Sequence, residues 1–559
     1  MPHTHWKILP EAEQPLDPKH LHALVARLLH NRGITDHSQA EIFLKADKRL
    51  EIDPFLLPDM HQAVNRVYKA LLSGEKIAVY GDFDADGITA TALLVQGLTE
   101  MGGDAIPYIP HRLYEGYGLK IPAMEKLRKQ GVTLVITVDT GITAFAEIEK
   151  SHKMGLEVLV TDHHVPLEQL PDAGIIVNPK RTDSSCPFID FAGVGVAFKL
   201  LQGLLAGSNR RDLTDRSLEL VALGTITDMS PLVSENRYWV KAGLNMLNKT
   251  KRVGLLELMN TAGIEQGKLT AETVSYQIGP RLNSAGRLDD AGTSYQLLVT
   301  EDKVQANMLA MELEEKNKER QRVVAEMHEK ARKQIVEDGT DRPLLMASDA
   351  DYATGVMGLV AGKLADEFYR PVVLIKIGSD TCRGSARSID EFDLMEALKS
   401  CHHLLTRYGG HARAAGFNVN TRDLPKVQKR LREMAEEKLT GLDLRPHIDI
   451  DAEIPLSVFG KGVFDQIRQL EPYGIGNPVP VFLSRKVEVV EQKLVGGGND
   501  HLRLKLKQDG VVWDTMGFRL GSYVGELGRH IDVVYSVELH RWNGKDDLRI
   551  NLLDFARSY

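Results

Sequence analysis

Cysteine is scarce in this chain. Cys186, Cys382 and Cys401 are the only three in 559 residues, they lie far apart, and no C-x-x-C pair occurs. A disulfide framework is therefore excluded, and a reducing cytoplasm is the expected setting. The run Cys401-His402-His403 has no second cluster at finger spacing, so it reads as ordinary surface rather than a zinc site. Long apolar runs are also missing: none approaches the ~20 residues of a membrane span, and no membrane partner is expected. The opening "MPHTHWKILP" lacks the basic and apolar pattern of an export signal. An excess of basic residues is absent too, with 69 Lys and Arg against 77 Asp and Glu and a net charge of −8. That argues against indiscriminate coating of nucleic acid, but not against a basic groove on an acidic body. Carboxylates gathered at a metal site would themselves push the total negative. Hydrophobic residues at 43% and charged residues at 26% are ordinary for a soluble globular protein, and the length calls for three or four domains.

Residues 1–48 read as a short helical preface. From Lys76 strand and helix alternate, with strands at "KIAVY", "AIPYIP", "VTLVITVD", "LEVLVTD" and "AGIIVNP". That alternation predicts a parallel sheet covered on both faces. From Val194 to about Thr300 the pattern turns helical. Asp302 to Glu337 contains neither Gly nor Pro and is charged on most faces, so it predicts one long helix acting as a strut between lobes. A second α/β unit follows to about Leu439. The last section has short alternating strands, with turns at "GGGND" and "WNGKDD", and predicts a small β-barrel.

The chemistry concentrates in "IAVYGDFDADGITATALL", where Asp82, Asp84 and Asp86 alternate ahead of Gly87. An EF-hand loop begins this way, but its twelfth position needs a bidentate Glu and here holds Leu93, and a strand, not a helix, precedes it. What remains is an acidic turn at the carboxyl end of a strand, where ligands bind in open α/β sheets. "VITVDTGIT" puts Asp139 at another strand end, and "VLVTDHHVP" puts Asp162, His163 and His164 at a third. "GTITDMSPL" adds Asp228 from a helix-to-loop junction. Each has a plain alternative as a helix cap or structural histidine. In a parallel sheet, however, all of these strand ends share one edge. So many carboxylates can share a site only by taking up protons or cations. Oxygen donors with one or two imidazoles suit Mn²⁺ or Mg²⁺, and two such ions ~4 Å apart hydrolyse phosphate esters.

The series "DFDADG", "VDTGIT", "TDHH", "GTITD" resembles the four motifs of the DHH phosphoesterase superfamily. "PHRLYEGYGL" (110–119), "GPRLNSAGRL" (279–288), "RGSARSI" (383–389), "GGHARAAGF" (409–417) and "LEPYGIGNPVPVF" (470–482) are similar to signature stretches of its bacterial RecJ family, single-strand-specific 5′→3′ exonucleases. The resemblance implies an α/β architecture: a parallel-sheet DHH catalytic domain (49–301), a connecting helix (302–337), a second α/β DHH-associated domain (338–449) and a C-terminal OB-fold β-barrel (450–559). It departs at Tyr352-Ala353-Thr354-Gly355-Val356-Met357-Gly358, where RecJ proteins usually read W-H-x-G-V-I-G.

By the family's pattern, Asp84 and Asp139 hold one ion and Asp86, Asp139, His163 and Asp228 the other, with Asp139 as the bridge. Asp82 lies in or beside this ligand set, and His164 is a phosphate neighbour and catalytic residue. Support of an imidazole is the role implied for Asp162, with helix capping equally open for Asp82 and Asp162. Arg112, Arg281, Arg287, Ser385, Arg387, Gly409, Gly410 and His411 are the implied substrate contacts. Trp513 and Trp542 are either barrel core or platforms for unstacked bases. The implied cofactor is Mn²⁺ or Mg²⁺, two ions per site. The implied substrate is single-stranded DNA, in repair and recombination, with a single-strand-binding protein and a RecQ-type helicase as partners. A DHH phosphodiesterase acting on short oligonucleotides or cyclic dinucleotides is the alternative. The barrel argues against it, because so small a substrate needs no long strand-binding surface.

Overall fold

The computed structural model describes residues 4–11, 21–112, 114–208, 210–542 and 545–558. They form two compact units.

The larger unit, Ile52–Ser230 and Ala242–Leu444, holds two sheets. In the first, Lys76–Tyr80, Asp104–Tyr108, Val132–Thr137, Glu157–Thr161 and Ile175–Val177 are all parallel, in the spatial order second, first, third, fourth, fifth. These are the strands expected from the apolar runs, and the central ones are buried on both faces. Parallel strands present their carboxyl ends to one edge, which places Asp82, Asp139 and Asp162 side by side. The second sheet is mixed. Leu405–His411, Ala414–Asn420, Thr381–Arg387 and Val372–Lys376 run antiparallel in that order, and Leu345–Asp349 closes it in parallel.

The helix Lys303–Asp338 joins the two α/β parts as expected, but it is less free-standing than its charge suggests. It buries one narrow stripe: Ala306, Ala310, Leu313 and Asn317 in its first half, and Val324, Met327, Ala331 and Ile335 in its second. The second set shares a core with Leu345, Ala347, Tyr352 and Val360. The helix is thus a spine built into the unit. Three of these eight contact positions are alanines and one is an asparagine, which raise hydropathy little, so the stripe is faint in the sequence.

The smaller unit gathers Met1–Glu51, Pro231–Lys241 and Arg445–Tyr559. Five strands, Phe482–Val495, His501–Gln508, Val511–Gly517, Lys545–Arg557 and His530–Trp542, close into a barrel where the first pairs with the last. Its core continues into Leu24, Val25, Leu28 and Leu29 of the N-terminal segment, and His5–Ile8 pairs with His447–Ile450. Stretches distant in the sequence therefore share one core. Trp513 is 6% exposed and packs edge-on against Phe459, so it is core and not a base platform. The Trp542 side chain lies outside the described residues.

Candidate metal centre and active site

The acidic turn follows from local rules. Buried Lys76–Tyr80 runs into Gly81, and Asp84 then caps the helix Ala85–Glu100 by accepting from the Asp86 and Gly87 N–H groups. A side chain on Gly87 would collide with the Asp82 backbone, with a Cβ 2.6 Å from its nitrogen. Only glycine lets the turn fold back this tightly. Asp139 ends its strand in the left-handed region, φ 60°, which Asp tolerates better than most residues. Asp86 is nearly fully buried, and its two oxygens accept from Gly193 N–H at 2.6 Å and Val194 N–H at 2.8 Å.

These elements bring together two trios of ligand atoms, Asp82, Asp84 and Asp139, and Asp86, His163 and Asp228. In each trio the atoms lie within 4.8 Å of one another. His164 joins Asp139 and His163 in a third such group. Burial, then neighbouring carboxylates, push the carboxyl of Asp82 up to about 8 and those of Asp86 and Asp139 well above their usual range. Burial takes Asp228 to about 6, against the hydrogen bond from Ser230. A cluster that holds charge so poorly takes up protons or cations.

The two histidines are set differently. His163 Nδ1 donates to the Phe191 carbonyl at 2.9 Å. Burial and then the charge of His164 hold its pKa down at about 3, so the ring is neutral and Nε2 carries a lone pair. That lone pair faces Asp139 Oδ1 at 3.0 Å, and neither atom has a hydrogen-bond partner. With Nδ1 donating to the carbonyl and Asp139 ionised, these two atoms are both acceptors. Ligand atoms at roughly 2.0–2.1 Å from an octahedral ion stand about 3 Å apart along a shared edge, so the pair fits a divalent cation. His164 is opposed by burial, but its hydrogen bond to Asp162 at 2.8 Å and that carboxylate's charge raise it to about 9. Asp162 also accepts from the backbone N–H groups of Ile142, His163 and His164, which occupies both of its oxygens. It orients the histidine loop.

Cations crowd the same region. Arg112 lies over the Phe83 ring at 4.8 Å, near Asp82 and Asp84. Arg287 donates to the Gly355 carbonyl at 3.3 Å, and burial, then Arg112, bring its pKa down to about 10. Arg387 donates to its neighbour's carbonyl, Ala386, and among the described residues no carboxylate pairs with it. A Cβ on Gly358 would stand 2.8 Å from Arg387 Nη2 and 3.4 Å from Ser385 Oγ, so this glycine seats both. Arg281 is different: Glu314 takes its Nε at 2.6 Å and the Gln277 carbonyl its Nη1, which commits it to the long helix. Gly409 and His411 lie on the exposed edge strand, and Gly410 turns it at φ 141°. Tyr352 is buried against the long helix with Ala353 packed beside it, and Gly355 still meets Arg287 backbone to backbone.

Several contributors were not among the sequence candidates. A Cβ on Gly193 would stand 2.4 Å from Asp139 Cβ, and one on Gly224 would stand 2.8 Å from Asp86 Oδ1. Glycines inside helical patterns, "AGVGVAF" and "ALGTIT", were the available signal. Lys180 lies near enough to lower the pKa values of both His163 and Asp228.

Three family descriptions match the chain: the DHH family N-terminal domain over 76–225, the DHHA1 domain over 341–437 and the RecJ OB domain over 450–554. The single-stranded-DNA-specific exonuclease RecJ of Bacillus subtilis (strain 168) is 36% identical over 543 residues, 96% of this chain and 68% of that protein. The chain belongs to the RecJ family. The crystal structure of a RecJ from Thermus thermophilus with Mn²⁺ superposes at a TM-score of 0.83 and 30% identity, over 99% of this chain and 80% of that one. A structure of RecJ from the same organism with Mg²⁺ gives 0.78 at 29%, over 99% and 79%. This RecJ-family chain has no helix, among the described residues, long and apolar enough to cross a membrane.

Proposed function

We propose that this chain is a metal-dependent exonuclease that removes nucleotides from the 5′ end of single-stranded DNA, in repair and recombination. The observation that carries the reading is the 3.0 Å approach of Asp139 Oδ1 to His163 Nε2, neither with a hydrogen-bond partner, set among buried carboxylates that form two trios of candidate ligands. Family membership supports single-stranded DNA as the substrate, and the 5′ direction follows from what the motif resemblance implies.

Asp82, Asp84 and Asp139 would hold one ion and Asp86, Asp139, His163 and Asp228 the other, with Asp139 between them. Bound Mn²⁺ or Mg²⁺ supplies an activated water and neutralises charge on the scissile phosphate. The chain's own groups do the rest. Asp162 fixes His164 through Nδ1, so its Nε2 is left to donate to a phosphate oxygen. Arg112, Arg287, Arg387 and Ser385 hold the phosphate through charge and hydrogen bonds, and Gly409, Gly410 and His411 extend that wall. The three free cysteines suit a reducing cytoplasm. A single-strand-binding protein and a RecQ-type helicase are the partners this reading implies.

End-labelled single- and double-stranded oligonucleotides, incubated with Mg²⁺, Mn²⁺ or EDTA, test the proposal. The expected result is loss of 5′ nucleotides from single strands only, abolished by EDTA. Activity confined to dinucleotides or cyclic dinucleotides would replace it with the small-substrate phosphodiesterase reading.

Arg387→Ala gives a second expected result. One phosphate contact is removed, so KM for single strands rises and the slope of log affinity against log salt falls by about 0.7, the single-strand value per contact. Binding measured at several salt concentrations checks this, and an unchanged slope would take Arg387 out of the substrate wall.

A further inference from the structure

The helix beginning at Ala85 has backbone N–H groups at its start that no helical carbonyl reaches. Asp84 takes two of them: its Oδ1 accepts from Asp86 and Gly87, each at 3.1 Å. The Ala85 N–H is met from 198 residues further along the chain, by Asn283 Oδ1 at 2.9 Å. Asn283 sits on the helix Gly279–Leu288, and the same helix makes a second, independent contact with the turn. A Cβ on Gly286 would stand 2.3 Å from the Phe83 carbonyl oxygen, so there the two backbones touch.

We propose, on the reading that the acidic turn holds divalent cations, that Asn283 is a positioning residue for the metal site: by satisfying the Ala85 N–H it leaves Asp84 one oxygen for the helix cap and the other for a cation. Asp84 has a single carboxylate with two demands on it. Without Asn283 the Ala85 N–H loses its acceptor, and the carboxylate of the adjoining Asp84 is drawn toward it. The carboxylate then turns over the helix end, where the helix dipole also favours a negative charge, and is drawn away from the cation.

Asn283 stands between Arg281 and Arg287, in a stretch whose arginines invite a substrate role. Its own contact is of another kind. A backbone N–H can only donate, so the atom facing Ala85 is the amide oxygen and not the NH₂ group that a phosphate would need.

That chemistry separates the two roles experimentally. Mn²⁺ is titrated calorimetrically, without DNA, into the full chain as wild type, Asn283→Ala and Asn283→Asp. Asn283→Ala is expected to bind Mn²⁺ roughly 10- to 100-fold more weakly, the usual cost of losing a group that orients a ligand. Asn283→Asp keeps an oxygen in the same place and is expected to bind at least as tightly as wild type. On single-stranded oligonucleotides at fixed Mn²⁺, kcat falls for the alanine variant with KM little changed, and the aspartate variant restores kcat. Wild-type Mn²⁺ affinity in a folded Asn283→Ala protein would overturn the proposal. So would an aspartate variant weaker than the alanine one, because the NH₂ group would then be the working part. If the alanine variant does not fold, the aspartate variant decides: tight Mn²⁺ binding supports the proposal and a tenfold loss overturns it. Wild-type protein that binds no Mn²⁺ at all would overturn the nuclease reading as well, which distinguishes that failure from this one.

Discussion

Asp139→Asn is expected to lower turnover by on the order of 10³-fold while leaving the protein folded and no less stable. Both halves of this result come from the same geometry. Asp139 contributes to one trio of candidate ligands and faces His163 of the other, so it is the one carboxylate placed to serve both ions. Its removal costs each ion a charged donor. Stability moves the other way, because the native side chain is buried among Asp82, Asp84, Asp86 and Asp228. Asparagine accepts the left-handed backbone as readily as aspartate, and its NH₂ group can donate across the 3.0 Å gap to the His163 lone pair. Two atoms that are both acceptors when Asp139 is ionised become a hydrogen-bonded pair. Melting curves with and without Mn²⁺ check this: the ion should raise the wild-type midpoint strongly and the variant's weakly, since stabilisation by a ligand follows its affinity. Near-normal turnover by a folded Asp139→Asn protein would remove Asp139 from its bridging place.

Arg237→Met is expected to destabilise the smaller unit by about 3–5 kcal/mol, the scale of several buried carbonyls losing their donors at ~1–3 kcal/mol each. Arg237 is fully buried, and its guanidinium stacks on the Phe43 ring at 3.9 Å. Its donors reach four carbonyls, those of Phe43 at 2.9 Å, Gln469 at 3.1 Å, Glu471 at 2.9 Å and Pro472 at 3.3 Å. One side chain thus ties the helix Ser234–Leu247 to the N-terminal segment and to the "LEPYGIGNP" stretch. Methionine fills much of the volume, so the loss falls on hydrogen bonds and leaves buried carbonyls without donors. The measurement is unusually clean. All four tryptophans, Trp6, Trp239, Trp513 and Trp542, belong to the smaller unit, so indole fluorescence during urea unfolding reports on it alone. A midpoint unchanged from wild type would mean that these carbonyls find other donors.

The parallel sheet was legible because buried parallel strands are continuous apolar runs, and the chain punctuates each with a polar turn. The convergence of Asp82, Asp139 and Asp162 then followed from topology, since such strands end on one edge. Asp86 was legible in the alternating acidic turn and Asp228 at a helix-to-loop junction, and motif order supplied their assignment to an ion. Arg281 and Arg387 look alike in sequence, both arginines in signature stretches. Only the fold shows that one is paired with Glu314 while, among the described residues, no carboxylate pairs with the other, because pairing depends on which elements meet.

By itself the sequence determined the elements, their order, the acidic edge and the family, all of which rest on local pattern and on motifs read along the chain. The tertiary structure decided which residues touch. It joined Leu24–Leu29 to the barrel core, put Trp513 inside it, set the long helix as a spine on one narrow buried stripe, and pressed Gly193 against Asp139. It also chose the His163 tautomer, through the carbonyl of Phe191 28 residues away. Contacts of this kind depend on distances of a few tenths of an ångström between residues remote in the chain, and no periodicity of side chains along the sequence encodes them.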